Sequence, residues 1–148
     1  MKIIATNRRA RHDYELKEKF EAGLVLTGAE VKSIKAGHIA LKGSYISIRG
    51  GEAYLVKAHV SPYKQASNLA EYNPEADRKL LLHKKELLKI IESGLAEHLS
   101  VVPTAIGLVR GRVKLEIALA RGKKLHDKRE TKKRQSMLKD ARLDSGNK

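Results

Sequence analysis

The side chains best placed to do chemistry in this chain are cations gathered in two places. Arg8-Arg9-Ala10-Arg11-His12 puts three guanidinium groups and an imidazole within five residues. Residues 121–148 carry eleven Lys and Arg against four Asp and Glu, a net +7. The other 120 residues carry twenty against thirteen, so they contribute the other +7 of a total of +14. Half of the excess charge thus occupies under a fifth of the chain, and two basic clusters flanking a core fit a polyanionic partner. Catalytic patterns do not assemble. Gly23 and Gly28 have the spacing of a phosphate loop, but Ala29-Glu30 stands where that loop needs Lys and Ser or Thr. There is no dinucleotide glycine fingerprint and no nucleophile-elbow serine. The six His include no helical i, i+4 pair, and the absence of Cys excludes thiolate metal sites and disulfides. His12-Asp13 and His126-Asp127 are lone dipeptides of a kind common by chance, and neither carries the second half of a catalytic or metal motif. Neither an enzyme nor a cofactor is expected.

The partner's class follows from what accompanies the charge. Only six aromatic residues occur, Tyr14, Phe20, Tyr45, Tyr54, Tyr63 and Tyr72. They are too few for an extended single-strand stacking platform. Cations with isolated tyrosines suit a folded RNA recognised by backbone and shape. No helix offers a basic face free of packing duties, so DNA is not the expected partner. No apolar run approaches a membrane span, and Met1-Lys2-Ile3-Ile4-Ala5-Thr6-Asn7 lacks the apolar stretch of a signal peptide. The expected location is the cytoplasm, with no membrane partner.

The elements that must position these groups are mainly strands. Tyr14, Leu16 and Phe20 alternate, and Leu24 and Leu26 resume the pattern beyond Gly23, where a bulge or bend is expected. Tyr45–Arg49 and Ala53–Val60 flank Gly50-Gly51 as a hairpin, with Tyr54, Val56, Ala58 and Val60 on one face. Val102–Leu108 and Val113–Leu119 alternate on either side of an Arg110-Gly111 turn. Thr27-Gly28-Ala29-Glu30 fits a capping box that opens a helix carrying Val31 and Ile34 and ending at Gly37. A second helix lies within Leu80–Leu99. Arg78-Lys79-Leu80-Leu81-Leu82 reads equally as its first turn or as a short strand. Ser61–Asp77, with Pro62, Asn68, Asn73 and Pro74, reads as a long polar loop. The order is β-α-β-β-(β)-α-β-β with at least five strands. A small OB-like antiparallel barrel satisfies it, as do a sandwich and an α+β sheet. Residues 1–120 form the expected barrel domain. Residues 121–148, with few large apolar side chains, form a tail disordered when free and helical against a surface that neutralises it.

Several blocks together resemble the SsrA-binding protein (small protein B, SmpB) family. They are Asn7-Arg8-Arg9-Ala10-Arg11-His12-Asp13-Tyr14, Phe20-Glu21-Ala22-Gly23, Gly28-Ala29-Glu30-Val31-Lys32-Ser33, Arg78-Lys79-Leu80-Leu81-Leu82 and the run from Ala120 to Arg129. The similarity keeps its order from about residue 6 to 135. The resemblance implies a bacterial trans-translation factor with an OB-like barrel that binds the tRNA-like domain of transfer-messenger RNA (tmRNA). It implies delivery of alanylated tmRNA to the stalled 70S ribosome, with elongation factor Tu and GTP as an indirect partner, and no covalent reaction of its own. The basic tail would contact ribosomal RNA in the decoding centre and run through the empty mRNA channel. Tagging of the nascent chain for degradation and release of the ribosome would follow.

By motif, the RNA-facing positions correspond to Asn7, Arg11, His12, Tyr14, Glu21, Tyr45 and Lys114. The ribosome-engaging positions correspond to Gly122, Lys123, Lys124, His126, Asp127, Lys128 and Arg129. Asn7 and Arg11 precede the first expected strand, where packing gives little reason for them. Tyr14 and Tyr45 have a core reading beside the RNA reading. Glu21 either accepts hydrogen bonds from base edges and 2′-hydroxyls or pairs with an Arg. Glu30 is assigned to its helix cap, with an RNA contact as the lesser reading. Thr131-Lys132-Lys133-Arg134-Gln135 departs from the family's usual Ile-Lys-x-Arg-Glu, and Ala29 replaces a bulkier residue. The alternatives to an adaptor are a structural ribosomal protein and an RNA-modifying enzyme.

Overall fold

The chain is described by a computed structural model covering residues 1–64 and 69–122. The expected tail residues from Lys123 onward lie outside these. Among the described residues nine strands and three α-helices follow one another, with a 3₁₀ turn at Leu69–Glu71: β1 (Lys2–Thr6), α1 (Arg8–Asp13), β2 (Tyr14–Leu24), α2 (Gly28–Lys35), β3 (Ile39–Ala40), β4 (Tyr45–Arg49), β5 (Glu52–Val56), β6 (His59–Val60), β7 (Arg78–Leu81), α3 (Lys84–Glu97), β8 (Ser100–Val109) and β9 (Arg112–Gly122). Seven strands form one sheet in the order β1-β8-β9-β2-β7-β5-β4, and β3 pairs with β6. Every ladder is antiparallel. β4 returns against β8, which curls the sheet into the expected OB-like, mainly β architecture.

Period-two alternation places Leu115 and Ile117 of β9, Ile106 of β8, Phe20 and Ala22 of β2 and Leu55 of β5 in one core. α2 adds Ile34 and α3 adds Ile90. The hairpins close as their residues dictate: Gly50 and Gly51 have φ of 58° and 76°, the two left-handed positions that a primed two-residue turn requires. The Arg110-Gly111 turn has the same form, with φ of 53° and 79°. The capping box is present, with Thr27 Oγ1 accepting from Glu30 N and Glu30 Oε1 accepting from Thr27 N at 2.9 Å. Gly37, with φ of 87°, follows the α2 C-cap.

Three features differ from the expectations, and a fourth decides between the two readings of Arg78–Leu82. The bulge in β2 falls between Leu16 and Lys19, while Gly23 pairs normally with Leu81 and Lys114. At Gly23 an added Cβ would lie 3.3 Å from Leu81 Cβ, so glycine here permits a close strand approach. Ala53–Val60 is not continuous, because Lys57 adopts φ of 65°. That break changes the facing: Ala53 and Leu55 are buried before it, Ala58 and Val60 after it. Arg78–Leu81 is a strand, and the helix starts only at Lys84, where Glu86 Oε1 accepts from the His83 backbone N. Finally, β1 and α1 precede the first strand expected from alternation. β1 is short, and α1 is a six-residue helix made mostly of charged residues. Neither offers a strong apolar period.

The long segment after β6 is held by one buried side chain. Arg78 is 3% exposed, and all five of its N–H groups find acceptors. Nε donates to Glu30 Oε2 at 2.9 Å, Nη1 to the Ala58 and Ala76 carbonyls, and Nη2 to the Pro74 carbonyl and Tyr72 Oη. Tyr72 Oη donates in turn to the Val60 carbonyl at 2.9 Å. Burial raises the Tyr72 phenol above its ordinary value, against the opposing pull of the Arg78 charge. The RNA-contact reading of Glu30 is therefore replaced: its carboxylate is buried and shared between a helix cap and an arginine.

Arg78→Ala should lower unfolding free energy by about 3–5 kcal/mol in urea titrations, since it strands the Glu30 carboxylate. An unchanged midpoint would contradict the network. Because the fold favours the protonated phenol of Tyr72, its contribution is complete below the ordinary tyrosine range and disappears as pH rises through the elevated folded value. Difference absorbance should show one of the five tyrosines titrating late, and Tyr72→Phe should remove that step.

Candidate nucleic-acid interface

The N-terminal basic cluster lies on α1, which packs on the outward face of the β2–β9–β8 sheet. Ala10 of the helix is buried with Val102 and Ala120, and Tyr14 and Leu16 pack beside them. The three-residue spacing between Asn7 and Ala10 makes the attachment. Asn7 Oδ1 accepts from Ala10 N as the helix N-cap, and its Nδ2 donates to the Pro103 carbonyl at 2.9 Å. Its backbone N donates to the Thr104 carbonyl at 2.8 Å. At 6% exposure, Asn7 does have a packing reason, contrary to expectation. It positions the arginines that follow it.

The arginines point outward. Arg9 Nε is 3.7 Å from Asp13 and Arg11 Nη2 is 4.0 Å from Glu116 Oε2, and both guanidinium groups remain about half or more exposed. His12 Nδ1 lies 3.3 Å from Asp13 Oδ1. Tyr14 is half-buried against the Ala10 cluster, and Tyr45 is 47% exposed, so Tyr45 is not a core tyrosine. Asn7, Tyr14 and Tyr45 meet in one cleft of about 240 Å³, shared with Arg9, Asp13, Gly43 and Ser44. A neighbouring cleft of about 350 Å³ is lined by Arg8, Arg9 and Lys42.

Glu21 and Lys114 lie farther along the same sheet face. In the ladder Glu21 stands directly opposite Glu116, while Lys114 stands opposite Gly23 and Gly107. Like charges facing across strands repel, but Glu116 is held by Thr104 Oγ1 at 2.6 Å and approached by Arg11. Glu21 has no hydrogen bond or ion pair among the described residues. Tyr14 and Glu21 are roughly 23 Å apart along an extended strand, enough to engage separate parts of a folded nucleic acid. Gly122 ends β9 opposite Tyr14, where an added Cβ would make ordinary van der Waals contact with the Tyr14 ring at 3.9 Å. β9 thus continues two residues past the expected division at Ala120. The other tail positions, Lys123, Lys124, His126, Asp127, Lys128 and Arg129, lie outside the described residues.

The face also includes residues that the sequence reading missed. Lys42 and Ser44 reach the clefts through the turn at Gly43, where Ser44 N and Oγ donate to the Leu41 carbonyl. Lys-Gly-Ser was the available signal for that turn. Glu116 had no local signal, because its importance comes from the cross-strand position. The described residues contain no group of three side chains suited to holding a metal, and none of their helices is long and apolar enough to cross a membrane. The arrangement is a concave, cationic edge with two accessible tyrosines beside a mixed-charge sheet face. It can grip phosphates, stack an unpaired base and accept hydrogen bonds from base edges.

Such a surface on a small β-barrel suits a folded polyanion, and comparison with known proteins places the chain more closely. The SmpB protein family profile matches residues 4–145, and the chain belongs to that family. An SsrA-binding protein of Nitratidesulfovibrio vulgaris is 49% identical over 138 residues, covering 93% of this chain and 89% of that protein. One from Microcystis aeruginosa is 48% identical over 140 residues, covering 95% and 91%. A solved chain described as "tmRNA-SmpB: a journey to the center of the bacterial ribosome" is similar with a TM-score of 0.68 and 43% identity. It covers 88% of this chain and 92% of that one.

Asn7→Ala should cost about 1–2 kcal/mol of stability by loss of the cap. Arg11→Ala, on the same helix but exposed, should stay within about 0.5 kcal/mol. Urea unfolding of the two variants distinguishes positioning from contact, and equal midpoints would refute the division.

Proposed function

We propose that this protein is an RNA-binding adaptor of ribosome rescue. Its body binds the tRNA-like domain of tmRNA, and it accompanies alanylated tmRNA to ribosomes stalled without a usable stop codon. The observation that carries the reading is the face just described. In a chain of the SmpB family, the alternation of β2 and β9 turns Tyr14, Glu21 and Lys114 to one outward surface, and Arg11 on α1 and Tyr45 on β4 are exposed beside it. The names of its relatives and of the similar solved chain point to the same RNA and to the ribosome.

Arg11 and Lys114 supply charge for phosphates, while Tyr14 and Tyr45 supply rings for an unstacked base. Glu21 supplies an acceptor for amino or 2′-hydroxyl groups. Asn7 acts through the helix it caps, and His12 adds a further polar group at the exposed end of α1. The tail begins beside this face. Gly122, Lys123 and Lys124 lead into His126, Asp127, Lys128 and Arg129, whose cations meet ribosomal RNA at the decoding centre while His126 stacks on a base. The tail then forms a helix in the empty mRNA channel. Elongation factor Tu with GTP takes part in delivery, and the protein itself catalyses no bond change. The cytoplasm is the compartment where these partners meet.

Truncation after Gly122 should leave tmRNA affinity within about twofold of the full chain while abolishing non-stop tagging. A large affinity loss would contradict the division between body and tail. With about six phosphate contacts, affinity should fall by roughly 10³ between 50 and 200 mM salt. Arg11→Ala or Lys114→Ala should each lower the salt slope by about one unit. A flat response, or stoichiometric presence in every mature ribosome, would overturn the adaptor reading.

A further inference from the structure

A second concave site lies where α2 meets the segment leaving β6, and it shares no residue with the clefts around α1. It encloses about 720 Å³ and is lined by Ala36, His38, Ser61, Pro62, Tyr63 and Lys64. Its walls are tied together. Ser33 Oγ donates to the Ser61 carbonyl at 2.6 Å, and Ser61 N donates to the His38 carbonyl at 3.0 Å. Lys32 Nζ sits 5.4 Å from the centroid of the Tyr63 ring, which joins the exposed face of α2 to the same segment. The floor is apolar, made by Ala36, Pro62 and the Tyr63 ring. Positive or polar groups surround it: Lys64 and His38 line it and Lys32 covers Tyr63. Among the described residues, no carboxylate lines it.

Core packing requires none of this. Lys32, Ala36, His38, Pro62 and Lys64 are exposed, and Tyr63 is only half-buried. A flat apolar floor beneath a cationic rim matches one chemistry closely: an aromatic base with its attached phosphate. The volume accommodates a single nucleotide. We infer that this cleft holds one unpaired nucleotide of a structured RNA, its base against Tyr63 and Pro62 and its phosphate between Lys64 and Lys32. The polymer as its source rests on the RNA-adaptor reading. The base-and-phosphate chemistry rests on the cleft alone.

The test uses the full-length ¹⁵N-labelled protein, titrated separately with r(A)₆, r(U)₆ and AMP, with tmRNA affinity measured in parallel. A hexamer should shift the amides of Ala36, His38, Ser61 and Tyr63. Tyr63→Leu should weaken that response by roughly 5- to 100-fold, as expected for a lost stacking partner, while tmRNA affinity through the α1 face stays within about twofold. Lys64→Ala changes an exposed side chain, so it provides a second measure if Tyr63→Leu disturbs folding; it should weaken the hexamer and steepen its salt sensitivity less than wild type. Hexamer shifts confined to the α1 clefts, or full affinity in Lys64→Ala and a folded Tyr63→Leu, would overturn the site. AMP filling the cleft more tightly than either hexamer would overturn the polymer source. Wild-type protein that fails to bind tmRNA while its cleft still binds the hexamers would instead defeat the adaptor reading and leave the cleft's chemistry standing.

Discussion

The Arg78–Glu30 pair is the contact on which the rest of the architecture leans. It crosses 48 residues of sequence and lies almost wholly out of water, with Arg78 Nη2 2.8 Å from Glu30 Oε2. A buried ion pair gains little over a well-packed apolar pair, because both charges must be desolvated. Its worth here is geometric. An apolar pair would not fix the orientation of three backbone segments, whereas a guanidinium group with every donor occupied does. Glu30 belongs to the α2 cap, Arg78 to β7, and the accepted carbonyls to Ala58, Pro74 and Ala76. One side chain therefore sets how α2 sits on the barrel and where the segment between β6 and β7 re-enters it.

With that frame fixed, the two faces of β2 and β9 serve different ends. The inward residues Phe20, Ala22, Leu115 and Ile117 fill the core. The outward residues Glu21, Lys114 and Glu116 are excused from packing by the same pleat. α1 covers only one end of that outer face, where Ala10, Val102 and Ala120 make a small second cluster. A short helix cannot sustain itself in water, so its position depends on Asn7 and on this apolar patch. The cationic surface is thereby ordered by uncharged residues, one amide and a small apolar cluster of two alanines and a valine.

The strands from Val102 to Leu119, the glycine hairpins and the α2 capping box were legible because each is written in local spacing. So was the presence of two basic clusters. The start of α3 was not, since Arg78-Lys79-Leu80-Leu81-Leu82 has no decisive period and becomes a strand by pairing with β2 and β5. Lys57 shows another limit: its left-handed turn inverts the facing of the residues after it, and lysine carries no signal for that conformation. Asn7 showed no packing reason in the sequence because the Pro103 carbonyl it donates to lies 96 residues away. Glu116 stayed hidden for the same reason. Local pattern names the elements; non-local partners decide what a polar residue does.

The register at the end of β9 fixes the point at which the chain leaves the barrel. Gly122 is paired to Tyr14, the residue that joins α1 to β2. Whatever follows Gly122 therefore starts from a surveyed point on the barrel instead of the loose end of a linker. Its origin and the α1 cleft share one rigid datum. Inserting residues after Gly122 displaces everything downstream by about 1.5 Å each if helical, or about 3.3 Å each if extended, and leaves the cleft where it was.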